Sequence, residues 1–298
     1  MASREQAWRQ VAAQFHAAGL DQPQLDARLL LMAATGIDET ELIIAGGEPI
    51  LPAESRLLDE MAARRLAHEP VSRILGLREF WGLPFGLNAA TLDPRPDSET
   101  IVETALRYLP DERATILDLG TGTGCLLLAL LSERPCASGL GIDIAPLAVE
   151  QARANAADIG LAAQAQFRCG NWHEDISSHF DMVISNPPYI PQADIERLAP
   201  EVRLHDPLLA LDGGDDGLAA YRILAKAMPG LLRAEGHCVV EFGQGQQAAV
   251  STLFQGAGLE ILEMVPDLAG ILRVVVARLP RDQARSCDVI KKVWNEPI

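Results

Sequence analysis

The chain has 298 residues, of which 48% are hydrophobic, and its formal net charge is −16. This length and composition predict a sizeable folded core, enough for two domains or for one large domain with an extension. The negative charge repels polyanions at long range, so the composition argues against a protein built mainly to bind nucleic acid.

Membrane insertion and export are not indicated either. No apolar run reaches transmembrane length, and the first six residues, Met1–Gln6, are polar and lack a signal-peptide core. The five cysteines are scattered without a CxxC pair, and the six histidines form no HExxH motif. We therefore expect a cytoplasmic protein without a disulfide framework and without a metal site.

The N-terminal quarter is predicted to be helical. Trp8, Val11 and Phe15 recur at helical spacing within residues 4–18, and Gly19 supplies a stop. Three more helices are predicted, one from Pro23 to near Gly36, one at 39–45 and one from Pro52 to Leu66. Short helices joined by tight turns are typical of a small bundle. We assign residues 1–70 to such a domain, and we predict that it docks the substrate.

The residue composition of the sequence changes after this bundle. Ser72 to Leu92 is rich in glycine, aromatic and aliphatic residues, which predicts a β-hairpin connector over residues 71–93. In the stretch Pro94–Glu99 that follows, Asp97 or Ser98 is placed to cap a helix that runs to Leu109.

From Thr115 onward, apolar strands alternate with helices. Strands are predicted at 115–119, 138–142, 164–169, 181–185, 237–242, 260–265 and 271–277, with helices at 125–131, 217–232 and 246–256. This alternation is typical of a parallel, doubly wound, Rossmann-like α/β sheet, which we assign to residues 94–280. The tail, 281–298, shows no strong period and receives no role.

A glycine-rich turn follows the first of these strands. Gly120-Thr121-Gly122-Thr123-Gly124 allows a tight turn and a close approach of a ligand to the backbone. Asp143 ends the next strand about 20 residues later, where an acid binds ribose hydroxyls in nucleotide-binding folds. The spacing is GxGxG rather than the GxGxxG of dinucleotide binders, and an acid, Asp118, precedes it. A nucleoside with a cationic amino-acid arm, such as S-adenosylmethionine, fits better than a dinucleotide.

A second motif, Asn186-Pro187-Pro188-Tyr189, follows the fourth strand of the sheet. The two prolines end the strand, because neither has an N–H to donate, and they leave a rigid loop at its carboxyl end. The Asn186 side chain and the Pro187 carbonyl can accept the two N–H bonds of a planar NH2 group, while Tyr189 stacks on it. Since such bonds strengthen as positive charge develops on nitrogen, the motif suits N-methylation. A Pro-Pro turn capped by asparagine is the structural alternative.

With these motifs in order, the chain resembles the protein-(glutamine-N5) methyltransferases of peptide chain release factors. The resemblance runs from about Glu69 to Leu279, and its most specific parts are Glu79-Phe80-Trp81-Gly82-Leu83 and Pro94–Glu99. It implies methyl transfer from S-adenosyl-L-methionine to the glutamine of a release factor during translation termination. It also implies cofactor contacts by Gly120–Gly124, Asp143, Trp172 and Asn186, and a glutamine site at Asn186, Pro187, Pro188 and Tyr189. Of these, Asn186, Pro187 and Tyr189 are the expected catalytic residues.

Some features depart from this family or leave alternatives open. Ser98 stands where threonine is usual, Asn171 stands where aspartate is common, and His205-Asp206-Pro207 replaces a typical Glu-Pro. The NPPY loop is shared with adenine-N6 methyltransferases of nucleic acid, which are the alternative function. A third possibility is a module that binds the cofactor without chemistry. The net charge weighs against a methyltransferase that acts on nucleic acid. The intact NPPY loop weighs against a module without chemistry.

Overall fold

The computed structural model describes residues 2–110 and 113–281. Within these residues the chain forms two compact units. The first unit comprises the chain up to Leu77 together with a later segment, Ala199–His205. The second comprises Arg78–Leu198 and the chain from Asp206 onward.

The N-terminal segment of the first unit is the predicted helical bundle, with one additional helix. Its helices are α1 (Arg4–Ala17), α2 (Pro23–Thr35), α3 (Glu39–Ala45), α4 (Pro52–Leu66) and the additional α5 (Val71–Leu75). Ser3 and Asp38 begin α1 and α3 with capping boxes, in which each side chain accepts from the third helical N–H. The apolar faces meet in one core that includes Val11, Phe15, Leu30, Leu31, Leu58 and Ile74.

A short helix from much later in the chain completes this unit. In α9 (Pro200–Arg203), Glu201 accepts hydrogen bonds from Arg65 at 3.3 Å and pairs with the His68 ring at 3.2 Å. The guanidinium of Arg65 also donates to Asp26 at 2.8 Å. Because the Arg65 side chain is only 9% exposed, this two-carboxylate arrangement satisfies a charge that would otherwise be costly to bury.

The segment predicted as a hairpin begins instead with α5. Pro70 precedes this helix, and Gly76 ends it with φ 67°, a left-handed conformation that glycine adopts without strain. The hairpin follows as β1 (Leu77–Phe80) and β2 (Leu83–Gly86). Its two-residue turn, Trp81-Gly82, has positive φ at both positions, as the favoured hairpin turns require. The hairpin is therefore present but shorter than the sequence suggested.

The second unit is built on a seven-stranded sheet. Its strands are β3 (Thr115–Leu119), β4 (Ser138–Asp143), β5 (Ala165–Cys169), β6 (Phe180–Ser185), β7 (Leu232–Glu241), β8 (Glu260–Pro266) and β9 (Leu272–Arg278). They lie in the order β5-β4-β3-β6-β7-β9-β8. From β3 the chain first builds outward to β4 and β5, and then returns to place β6 on the other side of β3. The crevice outside the carboxyl ends of β3 and β6 is where such sheets bind ligands.

The expectation of a parallel sheet is wrong for the last two strands. The pairs among β3, β4, β5, β6 and β7 are parallel, whereas β9 runs antiparallel to both β7 and β8. Only five residues separate the end of β8 at Pro266 from the start of β9 at Leu272. A connection this short can join only antiparallel neighbours, because a parallel pair needs a crossover of a dozen or more residues.

Helices cover both faces of the sheet. One face packs on α6 (Glu99–Tyr108), α7 (Cys125–Glu133) and α8 (Pro146–Asp158), and the other packs on α10 (Ala219–Leu231) and α11 (Gln247–Gly256). Alternate residues of one strand enter the two cores: Val239 belongs to the first, and Cys238 and Val240 belong to the second. The Rossmann-like fold of this unit, with a helical N-terminal unit, confirms the predicted fold class.

Ser98 occupies the position before α6, but its side chain makes no capping hydrogen bond, so the predicted capping role is wrong for this residue. The proposed tail lies outside the described residues beyond Arg281. Within the residues that the structure describes, no helix is both long and apolar enough to span a bilayer.

Candidate active site

One cavity lies at the carboxyl ends of the central strands, with a volume of about 290 Å³. Eight of the residues predicted from sequence contribute to its wall: Gly120, Thr121, Gly122, Thr123, Asp143, Trp172, Asn186 and Pro188. The fold thus brings together the glycine-rich turn after β3, the acid at the end of β4 and the loop after β6. Gly124, Pro187 and Tyr189 are not part of the cavity wall.

The glycine-rich turn is held against β4 by its backbone. The N–H groups of Gly120 and Thr121 both donate to the Ile142 carbonyl at 2.9 Å. Gly120, Gly122 and Gly124 all have positive φ, between 55° and 81°, which explains the glycine at alternate positions. A Cβ on Gly124 would approach the Phe167 ring to 3.1 Å, so this glycine allows the end of the turn to pack closely against Phe167 of β5.

Asp118 lies beneath this turn and is fully buried. Its Oδ2 accepts from the Thr121 hydroxyl at 2.6 Å. Its Oδ1 accepts no hydrogen bond from any residue that the structure describes. Burial raises the pKa of Asp118 to about 7, against the lowering effect of the Thr121 bond. A carboxylate with one unsatisfied oxygen is suited to a cationic group.

Asp143 is oriented at the cavity wall by two backbone groups. Its Oδ2 accepts from the N–H of Gly122 at 2.9 Å, and its Oδ1 accepts from the N–H of Ala145 at 2.9 Å. Burial raises the pKa of Asp143, and the backbone bonds oppose that rise. Each carboxylate oxygen has a second lone pair, so the group can still accept from a pair of neighbouring hydroxyls.

Asn171 and Trp172 form another part of the wall. Trp172 has φ 53°, an uncommon conformation for a non-glycine residue, and its ring lies 3.9 Å from where a Cβ on Gly120 would be. The Asn171 amide nitrogen donates to Glu174 at 2.7 Å, which leaves the amide oxygen as an acceptor. At the position where aspartate is common in the family, this chain thus has an amide, and one of its N–H groups is bonded to Glu174.

Asn186 is fixed by a residue from the other side of the crevice. Its Nδ2 donates to the Ser98 hydroxyl at 2.9 Å. The preceding residue, Ser185, is fully buried and donates to the Leu119 carbonyl at 2.6 Å, which ties the end of β6 to the end of β3. The polar part of Asn186 therefore projects from a loop whose base is rigidly held.

Tyr189 packs against the apolar core between the sheet and the helices α10 and α11, and it does not line the cavity. The following residue, Ile190, exchanges backbone hydrogen bonds with the loop that contains Leu211 and Gly213, at 3.0 and 2.8 Å. A Cβ on Gly213 would come within 2.8 Å of the Tyr189 backbone, so glycine is required for this close approach. The end of the NPPY loop is thereby held against the loop that contains Leu211 and Gly213.

Glu241 is a buried acid in this region that sequence reasoning missed. It ends β7 and accepts from the Ser98 hydroxyl at 2.6 Å, with the Tyr189 hydroxyl at a longer 3.4 Å. Burial raises the pKa of Glu241 to about 7, and the Ser98 bond and the nearby Arg273 charge oppose that rise. An acid directly after the apolar run Cys238-Val239-Val240, at the carboxyl end of β7, was the available signal.

Asp206, one of the departures noted in the sequence, also has a defined place. Its Oδ2 accepts from the Arg95 guanidinium at 2.5 Å, and the Asp206 side chain is only 1% exposed. Arg95 lines the cavity. Asp206 therefore holds the positively charged Arg95 side chain at the cavity wall. Glutamate, which the family typically has in this region, is one methylene longer and would need a different backbone position to make the same bond.

The arrangement fits S-adenosylmethionine. Asp143 is placed for a ribose diol, the turn with alternate glycines allows close approach to the backbone, and the unsatisfied oxygen of Asp118 suits an ammonium group. No cluster of potential metal ligands occurs within residues 2–110 and 113–281. Burial raises the pKa of Cys125 to about 12, so this cavity-lining thiol is protonated at neutral pH and is not a nucleophile.

Together, the fold and this site define a class I S-adenosylmethionine-dependent methyltransferase. Residues 98–202 match the family model described as methyltransferase small domain. A solved structure of a methyltransferase from Pyrococcus furiosus has a similar fold, with a TM-score of 0.51 at 14% identity. The match covers 74% of this chain and 99% of that chain.

The sequence comparisons assign the chain more narrowly. Residues 6–76 match the family model described as PrmC N-terminal domain. The release factor glutamine methyltransferase of Rhodospirillum rubrum is 49% identical over 272 residues, covering 91% of this chain and 82% of the relative. The enzyme of that name from Bradyrhizobium diazoefficiens is 48% identical over 282 residues, covering 93% and 95%. The chain belongs to the release factor glutamine methyltransferase family.

Proposed function

We propose that this protein transfers a methyl group from S-adenosyl-L-methionine to the side-chain amide nitrogen, N5, of a glutamine in peptide chain release factors. The structural observation that carries this function is the bond from Asn186 Nδ2 to Ser98. It engages the donor of the amide and leaves the Asn186 carbonyl oxygen to accept from an incoming NH2 group. Family membership supports the same substrate class.

The protein's task is to make a poor nucleophile react. An amide nitrogen shares its lone pair with the neighbouring carbonyl, and it must lose that conjugation to attack. When bound, S-adenosylmethionine supplies an electrophilic methyl group on a positively charged sulfur. The Asn186 side-chain oxygen and the Pro187 backbone oxygen accept the two N–H bonds of the substrate amide. Both bonds strengthen as nitrogen becomes cationic, so they stabilise the transition state more than the ground state.

No general base is required in this scheme. Once nitrogen carries the methyl group and a positive charge, its proton is strongly acidic and passes to water or to an oxygen of the site. We propose that the Tyr189 ring, although it is not part of the cavity wall, supports the planar amide of the bound substrate and fixes its angle of approach. We assign cofactor binding to the turn Gly120–Gly124, to Asp143, to Trp172 and to Asn186, and substrate binding to Asn186, Pro187, Pro188 and Tyr189.

The alternative of adenine methylation in nucleic acid is not favoured. It rests on the NPPY loop, which both classes share, whereas the matched relatives are named for glutamine in release factors. The net charge of −16 also opposes the approach of a nucleic acid. We propose release factors as the partners, with no direct nucleic-acid contact. We propose a cytoplasmic setting from the sequence, whose five cysteines are scattered without a CxxC pair.

We further propose that the N-terminal unit supplies docking contacts for the release factor. One glutamine side chain offers little contact area, whereas a specific protein interface buries about 800 Å² on each partner. Two adjacent residues of α3, Ile43 and Ile44, are 80% and 79% exposed. Exposed neighbouring isoleucines are suited to the apolar centre of such an interface.

A labelling experiment tests the function directly. The protein is incubated with methyl-labelled S-adenosylmethionine and a release factor, its variant with the reactive glutamine replaced by alanine, or a mixture of DNA and RNA. We expect label only in the unaltered release factor, on the glutamine amide nitrogen. Label in nucleic acid instead would support the alternative. The Asn186→Ala protein serves as the inactive enzyme control.

A further inference from the structure

A chain of three polar side chains runs beneath the proposed substrate site. Asn186 Nδ2 donates to Ser98 Oγ at 2.9 Å, and Ser98 Oγ donates to Glu241 Oε2 at 2.6 Å. Ser98 is 3% exposed and Glu241 is 3% exposed, so both bonds are shielded from water. Bonds to an acid in such surroundings are stronger than those between neutral groups at the surface.

The order of donors and acceptors in this chain fixes the orientation of the Asn186 amide. An ionised Glu241 can only accept, so the single proton of the Ser98 hydroxyl is then given to Glu241 and the Ser98 oxygen offers only lone pairs. The Asn186 group next to it must then be the NH2 and not the carbonyl oxygen. Rotating the amide by half a turn would set two acceptors against each other. Glu241 thus selects which end of Asn186 is available to the substrate, acting through Ser98.

The usual structural role of a serine at this position does not explain these bonds. Ser98 ends a single 3₁₀ turn, Pro96–Ser98, that leads into α6, and its backbone angles are helical (φ −71°, ψ −11°) rather than the extended ones of a capping residue. The Ser98 side chain makes no capping hydrogen bond. Its hydrogen-bonding capacity is directed to Glu241 and Asn186, which come from β7 and from the loop after β6. The Ser98 hydroxyl therefore contacts the site and not the backbone of its own helix.

We propose that Ser98 and Glu241 are positioning residues for methyl transfer, which hold the Asn186 amide with its oxygen toward the reacting nitrogen. This inference rests on the proposed function, in which the Asn186 oxygen accepts from the substrate amide. Neither residue touches the reacting atoms in this scheme. Substituting Ser98 or Glu241 is therefore expected to lower kcat, and to do so only while Asn186 is present.

A double-mutant cycle tests this dependence. Ser98→Ala is expected to lower kcat on a release factor by about tenfold to a hundredfold, the range for one or two buried hydrogen bonds. In the Asn186→Ala background, the same change is expected to alter the remaining kcat by less than about twofold. Additive losses in the two backgrounds would overturn the proposal, because Ser98 would then act independently of Asn186.

Conservative and control variants separate positioning from general structural damage. Ser98→Thr keeps the hydroxyl and is expected to recover most of the kcat lost in Ser98→Ala. Glu241→Gln keeps an acceptor for Ser98 and should lose less activity than Glu241→Leu, which removes it. Ser132→Ala is a matched control, since it deletes a hydroxyl that bonds a helix carbonyl in α7 at 2.7 Å. Equal kcat in Ser98→Thr and Ser98→Ala would contradict the proposal.

A spectroscopic readout makes the test independent of release-factor activity. In protein labelled with 15N-asparagine, the side-chain NH2 signal of Asn186 is identified by its loss in Asn186→Ala. We expect Ser98→Ala and Glu241→Leu to shift this signal and to speed its exchange with water, and Ser98→Thr to restore it. An unchanged signal in Ser98→Ala would overturn the hydrogen-bond chain. If instead wild type shows the expected signals but labels no release factor, the proposed function fails and the chain of bonds stands.

Discussion

The side-chain amide of Gln246 holds the backbone of Tyr189. Gln246 Nε2 donates to the Tyr189 carbonyl at 2.9 Å, while its Oε1 accepts from the Gly243 N–H at 2.9 Å. A Cβ on Gly243 would lie 2.9 Å from the Tyr189 ring, so this glycine and Gln246 together fix the ring in place. The NPPY loop depends on a side chain 57 residues further along the chain.

Loss of this contact should reduce turnover. We expect Gln246→Leu to lower kcat on a release factor by about tenfold, as for one lost hydrogen bond to a part-buried group, with cofactor affinity nearly unchanged. Steady-state kinetics and calorimetry measure the two effects. Gln244→Leu, an exposed change two residues earlier, serves as the control. A fall in cofactor affinity equal to the fall in kcat would contradict a role confined to the substrate loop.

Asp143 is predicted to bind the cofactor ribose. Two charge-assisted bonds contribute about 1.5–3 kcal/mol each, so Asp143→Ala should weaken S-adenosylmethionine binding by tenfold or more. Because Asp143 also accepts from the N–H groups of Gly122 and Ala145, Asp143→Asn is tested beside it. Calorimetry gives both dissociation constants, and Asp158→Ala, an exposed change at the end of α8, is the control. Unchanged affinity in Asp143→Ala would exclude the ribose assignment.

Cofactor binding should depend on pH through Asp118. Burial raises the pKa of Asp118 to about 7, so in the free protein the carboxyl is increasingly protonated as pH falls below 7. A cationic amino group binds the ionised form, and it stays charged in this range because its own pKa is about 7.7–8.0. Affinity is therefore expected to rise with pH from about 5.5 to 7, by up to about tenfold per pH unit.

Calorimetry in two buffers of different ionisation enthalpy tests this linkage. Binding near pH 6.5 should release protons in the wild-type protein and release fewer in Asp118→Asn. That variant keeps an acceptor for the Thr121 hydroxyl, so the glycine-rich turn retains its hydrogen bond. A pH-independent affinity in the wild-type protein would show that Asp118 does not titrate on binding.

The ring of Tyr189 is expected to matter more than its hydroxyl. The hydroxyl lies 3.4 Å from Glu241 Oε1, which is long for a hydrogen bond of this kind. Burial and the charge of Glu241 both raise the pKa of Tyr189, so the phenol stays neutral throughout the working range. We expect Tyr189→Phe to keep kcat within about threefold and Tyr189→Ala to lower it about a hundredfold. Equal losses in the two variants would assign the function to the hydroxyl.

Docking by the N-terminal unit is best tested by surface changes. Deleting residues 1–70 would remove most of a core that also uses Ile74, and would strip Glu201 of its partner Arg65. Instead, Ile43→Asp with Ile44→Asp is expected to lower kcat/KM on a whole release factor at least tenfold. Cofactor affinity should not change.

The matched control carries the same two charges on another exposed face of the unit, as Gln10→Asp with Gln14→Asp. Methylation of a short peptide that contains the glutamine should be affected by neither pair. If the isoleucine variant methylates the whole release factor at the wild-type rate, α3 is not the docking surface.

The sequence predicted those parts of the molecule that have a local signal. Strand β3 and helix α3 match their predicted bounds, because apolar periodicity and a capping box act over a few residues. The glycine-rich turn and the NPPY loop are contiguous motifs, and they line one cavity as the topology implies. Family membership confirms the predicted function, cofactor and fold class.

What sequence could not give is long-range pairing. Ser98 and Glu241 are 143 residues apart in the chain, and neither has a local pattern that points to the other. The helix α5 was missed because five residues are too few to show a helical period. The antiparallel strands β8 and β9 were assigned correctly as strands, but direction depends on the short connection between them rather than on their composition.

The position of Glu201 has a consequence for the protein as it is synthesised. The helices up to Leu75 leave the ribosome first and can pack their own core, but Arg65 meets Glu201 only after 136 more residues have been made. At elongation rates of about 5–20 residues per second, that interval is on the order of ten seconds. During this time Arg65 has Asp26 as its carboxylate partner. The N-terminal unit is the first to begin folding, but it is completed only after the NPPY loop has been synthesised.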